Sequence, residues 1–197
     1  MTTGTEAFHP RVRETDTLAD GRKILLRPIC RDDAEAWLAF REHLSWATRY
    51  KRGMPSLDDT TPEGVRTATD PDPRIEVALV AVGDNGARIV GVGRLLFREE
   101  PAPAEFALVV ADGWQRQGIG GRLIRALIDE AGGRGVGELE GHVLATNTGM
   151  LDLVRRYGFV VEPVVPGDIV VRIVKRLGAD RDAAERGPLG QATAQGR

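Results

Sequence analysis

The chain has 197 residues, enough for one domain with a sizeable core. Its net charge of −2, with acidic and basic residues interspersed, gives no argument for nucleic acid or an anionic membrane as a partner. Cys30 is the only cysteine, which excludes an intrachain disulfide and a cysteine zinc cluster, and no metal is expected. The sequence contains no secretory leader pattern and no apolar run of about 18 residues, so a cytoplasmic protein is the expectation.

Residues 1–20 are polar and lack sustained periodicity, and they read as a disordered tail. The segment 23–29 (KILLRPI) reads as a strand closed by Pro28. Asp32 or Asp33 can cap a helix running to about Leu44, with Ala36, Trp37, Phe40 and Leu44 on one stripe. A second short helix is predicted over 45–53 and a third near 62–68. The run 75–82 (IEVALVAV) has the look of a buried strand, and Asp84-Asn85-Gly86 predicts a hairpin turn into a partner over 88–97. Gly91 and Gly93 inside that partner predict a bulge or a close backbone approach rather than a cofactor loop.

The stretch 104–122, AEFALVVADGWQRQGIGGR, is the most informative. Ala104, Phe106, Leu108 and Val110 alternate with Glu105, Ala107 and Val109, the period of a strand. Asp112-Gly113 breaks it, and a glycine-rich loop opens directly into a helix with Ile119, Leu123, Ile124, Leu127, Ile128 and Ala131 on its apolar stripe. A strand, glycine loop and helix N-terminus in series form a site for phosphate, because unpaired amides and the helix dipole both favour an anion. A Walker loop would continue as Lys-Ser/Thr, whereas Gly121 is followed by Arg122 and Leu123. The dinucleotide fingerprint lacks its third glycine, since Leu123 stands there. Kinase glycine loops join two strands, not a strand and a helix. A plain βα turn with glycines placed for tight packing is the competing reading.

Gly132-Gly133 is expected to stop that helix. A strand follows over 138–145. Thr146 or Asn147 caps a helix with Met150, Leu151, Val154 and Tyr157 on one face, and Gly158 ends it. Two strands, 159–163 and 168–174, come last, and 178–197 reads as a second disordered tail, leaving one folded domain over 21–177. The predicted class is α+β: a mixed, mostly antiparallel sheet of six to seven strands with helices on both faces and one parallel crossover at the glycine loop.

With QRQGIG and NTGMLDLVRRYGF in this order and separation, the chain resembles the GNAT superfamily of N-acetyltransferases over about 23–177. Within it, LSWATRY, RIEVALVAV, AEFALVV and HVLATNTGML are similar to bacterial protein lysine acetyltransferases of the Pat type, which modify acyl-CoA synthetases. Relatives of that type often carry an additional ligase-like or cyclic-nucleotide-binding region, for which 197 residues leave no room.

The resemblance implies acetyl-CoA as cosubstrate and an amine acceptor, a lysine of a partner protein such as an acyl-CoA synthetase. It implies CoA contacts from Leu108, Val109 and Val110 on the strand. The loop contributes Gln115, Arg116, Gln117 and Gly118, and the helix start Ile119, Gly120, Gly121 and Arg122. Asn147 and Met150 complete the set, although a helix cap is an equally good role for Asn147.

Because an ammonium with a reference pKa near 10.4 is rarely a free amine at neutral pH, the reaction needs a base. Glu105 matches the Pat-type glutamate, just before a β-bulge typical of the superfamily, with a backbone N–H near Val109 as oxyanion donor. Glu76 and His142 compete, the first read as a surface or salt-bridging residue and the second as a satisfied structural histidine. Where many relatives carry a tyrosine acid on the last helix this chain has Val154, and the role does not pass to Tyr157. A small-amine acetyltransferase and a catalytically silent acyl-CoA-binding module are the alternatives.

Overall fold

The computed structural model describes residues 13–52, 60–83, 86, 88–98 and 103–178. Strands are β1 (Glu14–Thr17), β2 (Lys23–Pro28), β3 (Glu76–Gly83), β4 (Arg88–Leu96), β5 (Ala104–Val110), β6 (Glu138–Leu144), β7 (Val160–Val161) and β8 (Val170–Arg176). Helices are α1 (Ala34–Glu42), α2 (Trp46–Arg52), α3 (Pro62–Thr69), α4 (Ile119–Gly133) and α5 (Thr148–Arg156). The strands form one sheet in the order β1-β2-β3-β4-β5-β6-β8-β7, antiparallel throughout except for the parallel pair β5–β6. The α+β class, the mixed sheet and the single parallel crossover are as the sequence predicts.

Helices cover both faces. On one, α4 and α5 bury Ile119, Leu123, Leu127, Leu151 and Val154 against Phe106, Leu139 and Ile173. On the other, Trp37 and Phe40 of α1 and Val65 of α3 pack on Val80, Val92 and Val109. Gly91 and Gly93 of β4 let α4 lie close to the sheet. A Cβ on Gly91 would stand 3.1 Å from Ile119 Cγ2, and one on Gly93 3.1 Å from Leu127 Cδ1. The β3–β4 register also shifts by one residue beside Gly91, the bulge expected of these glycines. Close seating of α4 fixes where its N-terminus lies relative to β5.

Four local expectations need correction. The tail expected to reach Asp20 contains β1, paired with β2 from Glu14↔Leu26 to Thr17↔Lys23, and Leu18 is 3% exposed. All four β1 side chains are exposed, so this edge strand has no apolar alternation to read. With β1 and the two-residue β7 the sheet has eight strands, not six to seven.

The long helix runs through Gly132 and Gly133, and Gly135 (φ 77°) is the left-handed residue that ends it. Asp33 does not cap α1 with its side chain. It receives Arg27 Nη1 at 2.7 Å and Nη2 at 2.6 Å, a half-buried ion pair tying β2 to the start of α1. The turn expected at Asp84-Asn85 and the tails over 1–12 and 179–197 lie outside the described residues.

Candidate active site

The strands β5 and β6 are hydrogen-bonded only at Ala104↔Leu139 and Glu105↔Glu140, and beyond that rung they diverge. A Cβ on Gly141 would stand 3.0 Å from the Phe106 ring, so this glycine makes room for Phe106 where the strands part. The fork opens into a cleft of about 1000 Å³. β5 borders one side, the start of α4 closes one end, and the turn before α5 forms the far wall.

The β5 backbone has a defined polarity. Its register with β4 is unbroken from Leu96↔Glu105 to Gly91↔Val110, and Ala111 N–H continues it to Val90 O at 2.9 Å. In an antiparallel ladder alternate residues point their N–H and C=O to the same neighbour. Glu105, Ala107 and Val109 therefore pair with β4, while Leu108 and Val110 aim their N–H groups into the fork. One expectation fails here: the β5–β4 ladder has no bulge after Glu105. The Val109 N–H is engaged in that ladder, so the amides around it that are open to an oxyanion or a ligand chain are those of Leu108 and Val110. Val110 O is already taken by Gln115 Nε2 at 3.0 Å.

At the closed end, Gly118 (φ 87°) is the N-cap of α4, and no side chain caps it. The first helical bond runs from Arg122 N–H to Gly118 O, so the Ile119, Gly120 and Gly121 amides have no acceptor within the helix. Arg116 adds charge from a left-handed conformation (φ 62°), and Lys51 of α2 and Arg155 of α5 also border the cleft. This end of the cleft suits a pyrophosphate.

The glycines also serve packing. A Cβ on Gly121 would stand 2.6 Å from the Tyr157 hydroxyl oxygen, and one on Gly120 3.2 Å from Leu153 Cδ2. Tight packing of these glycines is thus part of the structure, and it leaves the first α4 amides open.

Leu108, Val109, Val110, Gln115, Arg116 and Gly118 all border the cleft, as do Gly120, Gly121, Asn147 and Met150. Three expected contacts keep their side chains out of it. Ile119 is 1% exposed and turns its side chain into the core, because it belongs to the apolar stripe of α4. Arg122 reaches away to an ion pair with Asp16 of β1. Gln117 is half-buried outside the cleft lining. Asn147 caps α5, its side-chain oxygen accepting from Met150 N–H at 3.3 Å.

One network had no sequence signal beyond its polar residue types. Asp112, just after β5, accepts from Ser45 N–H at 2.9 Å, Ser45 Oγ at 2.8 Å and Thr48 Oγ1 at 2.7 Å. Gln115 Nε2 in turn lies 3.2 Å from Thr48 Oγ1. Partial burial alone would raise the Asp112 pKa, but these hydrogen bonds outweigh it and hold the carboxyl below its usual range. The network pins α2 to the glycine loop.

Of the three candidate bases, Glu76 is committed to an ion pair with Arg94, whose guanidinium lies over the Trp37 ring. Glu105 stands at the last paired rung of the fork, set back from the cleft, with Oε2 accepting from Arg98 Nη2 at 2.6 Å. His142 is not the satisfied structural histidine expected: its side chain is 48% exposed and borders the cleft, and Nδ1 lies 3.7 Å from Glu105 Oε1. Val154 is fully buried, and Tyr157 does not line the cleft. Among the described residues no three His, Cys, Asp or Glu side chains gather as metal ligands would, and no helix is long and apolar enough to cross a membrane.

Residues 37–159 match the acetyltransferase (GNAT) family. Acetyltransferase PA5475 of Pseudomonas aeruginosa is 33% identical over 147 residues, covering 74% of this chain and 79% of that protein. The GNAT domain of S. lividans PAT superposes with a TM-score of 0.73 at 26% identity, over 84% of this chain and 97% of that one. The cAMP-binding acyltransferase from Mycobacterium smegmatis gives a TM-score of 0.58 at 23% identity, over 91% of this chain but 50% of that one, a likeness of fold.

Proposed function

Because this chain belongs to the GNAT family of acetyltransferases, we propose that it carries an acetyl group from acetyl-CoA to a lysine side chain of a partner protein, an acyl-CoA synthetase being the acceptor class. The observation that carries the acyl-donor half is one cleft holding both the outward Leu108 and Val110 amides and the uncapped N-terminus of α4. When bound there, the thioester supplies an acyl carbon open to attack and a thiol leaving group of low basicity.

The chain's own residues do the rest. The Ile119, Gly120 and Gly121 amides, with Arg116, hold the pyrophosphate. Leu108 and Val110 N–H groups orient the pantetheine and face the carbonyl oxygen as charge develops on it. Asn147 turns its amide toward the ligand while its oxygen caps α5, and Met150 lines the apolar wall. Glu105 supplies the carboxylate that drives removal of the proton the acceptor ammonium must lose.

A protein acceptor is supported by the likeness to the S. lividans PAT domain and by an aromatic pair beside the cleft. Trp46 and Tyr50 stack at 5.0 Å on α2 and are both exposed, a feature enriched at protein interfaces.

The test incubates the purified protein with acetyl-CoA and either acyl-CoA synthetases or a panel of free amines, following thiol release and acetyl-lysine mass. Acetylated synthetase lysines are the expected result. Turnover with free amines alone makes it a small-amine enzyme. CoA binding without thiol release in either arm makes it a binding module.

A further inference from the structure

We propose that His142 is the group that touches the acceptor amine, and that Glu105 acts through it as its carboxylate partner. This rests on the acetyl-transfer reading above and deepens its proton path. β5 and β6 hold together through Glu105↔Glu140, and His142 is two residues past that rung, on the same face of β6 as Glu140. It is thus the first β6 residue on that face beyond the point where the strands separate. His142 is one of the residues lining the cleft, with its side chain 48% exposed, whereas Glu105 is not among them. The Nδ1–Oε1 distance of 3.7 Å is that of an ion pair once the ring is protonated, not of a formed hydrogen bond. A protonated ring would face this carboxylate at ion-pair distance, as a base needs of its partner.

The surrounding charges leave Glu105 available for this role. Arg98, beyond β4, occupies Oε2 and leaves Oε1 to the imidazole. Arg172 of β8, which is in register with His142, is committed to Glu140 at 2.8 Å and Glu162 at 2.6 Å, with Glu138 at 3.3 Å. Glu140, on the same strand, is spent on that guanidinium. Lys51 of α2 borders the same cleft.

The step balances as follows. One N–H proton of the acceptor ammonium passes to Nε2 of the neutral imidazole, and Glu105 stabilises the resulting imidazolium through Nδ1–H. The freed lone pair forms the C–N bond to the acyl carbon, and the C–S bond breaks with its electron pair going to sulfur. A second N–H proton goes to the thiolate or to water, and the half-exposed ring returns its own proton to solvent. No oxidant or further reactant enters.

The experiment measures kcat and kcat/KM against pH for the wild type, His142→Gln, Glu105→Gln and the double variant, with CoA affinity as a check of folding. With acetyl transfer established for the wild type, each single variant is expected to lose roughly 10²- to 10⁴-fold in kcat with CoA affinity retained. The double variant should fall within about threefold of the slower single one, since the pair works as a unit. In His142→Gln, kcat/KM should lose its acid limb, whereas a residue that only lines the cleft would leave the profile's shape unchanged.

A near-normal His142→Gln beside a slow Glu105→Gln overturns this pairing and leaves Glu105 as the direct base. A slow His142→Gln beside a normal Glu105→Gln overturns it too, leaving the histidine to act alone. Should His142→Gln lose CoA affinity, Asn at the same position repeats the test, and loss of affinity there as well makes His142 a structural residue. A wild-type protein without thiol release sinks the acetyl-transfer reading instead.

Discussion

Two helices bring their N-termini to one cleft, and they end in opposite ways. α5 is closed by its own chain, with the Asn147 side chain accepting from Met150 N–H. α4 begins at a left-handed glycine that has no side chain to offer, and its first amides stay open. A glycine N-cap forgoes only about a few tenths of a kcal/mol relative to a capping side chain. Here the uncapped end lies beside Arg116 in a cleft large enough for a nucleotide, while the capped one serves as wall. The difference separates a terminus left open to the cleft from one closed by its own chain.

The largest expected effect comes from filling the open end. Gly120→Val places methyl groups where the pyrophosphate approaches, and the nearest atom that must yield is the tip of a half-buried leucine, Leu153. The variant should stay folded and lose at least about 100-fold in CoA affinity, roughly 2.7 kcal/mol. Isothermal titration with CoA checks it, and unchanged affinity would remove the anion role from α4.

Asn147 offers a way to sharpen the contrast at the closed end. Asn147→Ala should cost about 1 kcal/mol in chemical denaturation, the ordinary worth of a cap. Asn147→Asp keeps a capping oxygen and restores that stability but has no amide donor. Its CoA affinity should drop by about tenfold, the scale of one hydrogen bond to a charged group. If the Asp variant binds CoA normally, Asn147 is a cap alone.

Acid should loosen the region just before the open end. Asp112 and Asp33 both have pKa values held below the usual carboxylate range, in each case because hydrogen bonds outweigh burial. A carboxylate whose pKa is lower folded than unfolded contributes stability above the unfolded value, near 3.9, and loses it as pH falls through the folded value. Thermal midpoints should therefore vary little on these groups' account above about pH 5 and decline below about pH 4. Asp112→Asn should flatten that decline, and an unaltered slope would show that the Ser45–Thr48 contacts do not depend on its charge.

The smallest effect is expected at Arg122. Its motif position suggests a phosphate ligand, but its side chain is engaged with Asp16 of β1. Arg122→Ala should leave CoA affinity within about twofold and cost no more than about 1 kcal/mol, as partly exposed ion pairs do. A tenfold loss of affinity would mean that the arginine swings to the ligand on binding.

What could be read from residue order follows from period and local chemistry. The alternation in 104–110, the apolar stripe of α4, the capping asparagine and the loop glycines are statements about neighbours within a few residues, and they located both the fold class and the helix N-terminus that borders the cleft. The fork was not legible, because it lies where Phe106 meets Gly141, residues 35 positions apart. Nor was the direction of the β5 amides, which hangs on register with β4: one residue of slip exchanges Val109 for Leu108. β1 was invisible for a related reason, since ETDT acquires its strand conformation from the β2 ladder and not from any pattern of its own. His142 carried the wrong expectation because its strand alternates correctly whether or not a neighbour covers it. Only the separation of two parallel strands leaves that ring at the cleft, 3.7 Å from Glu105.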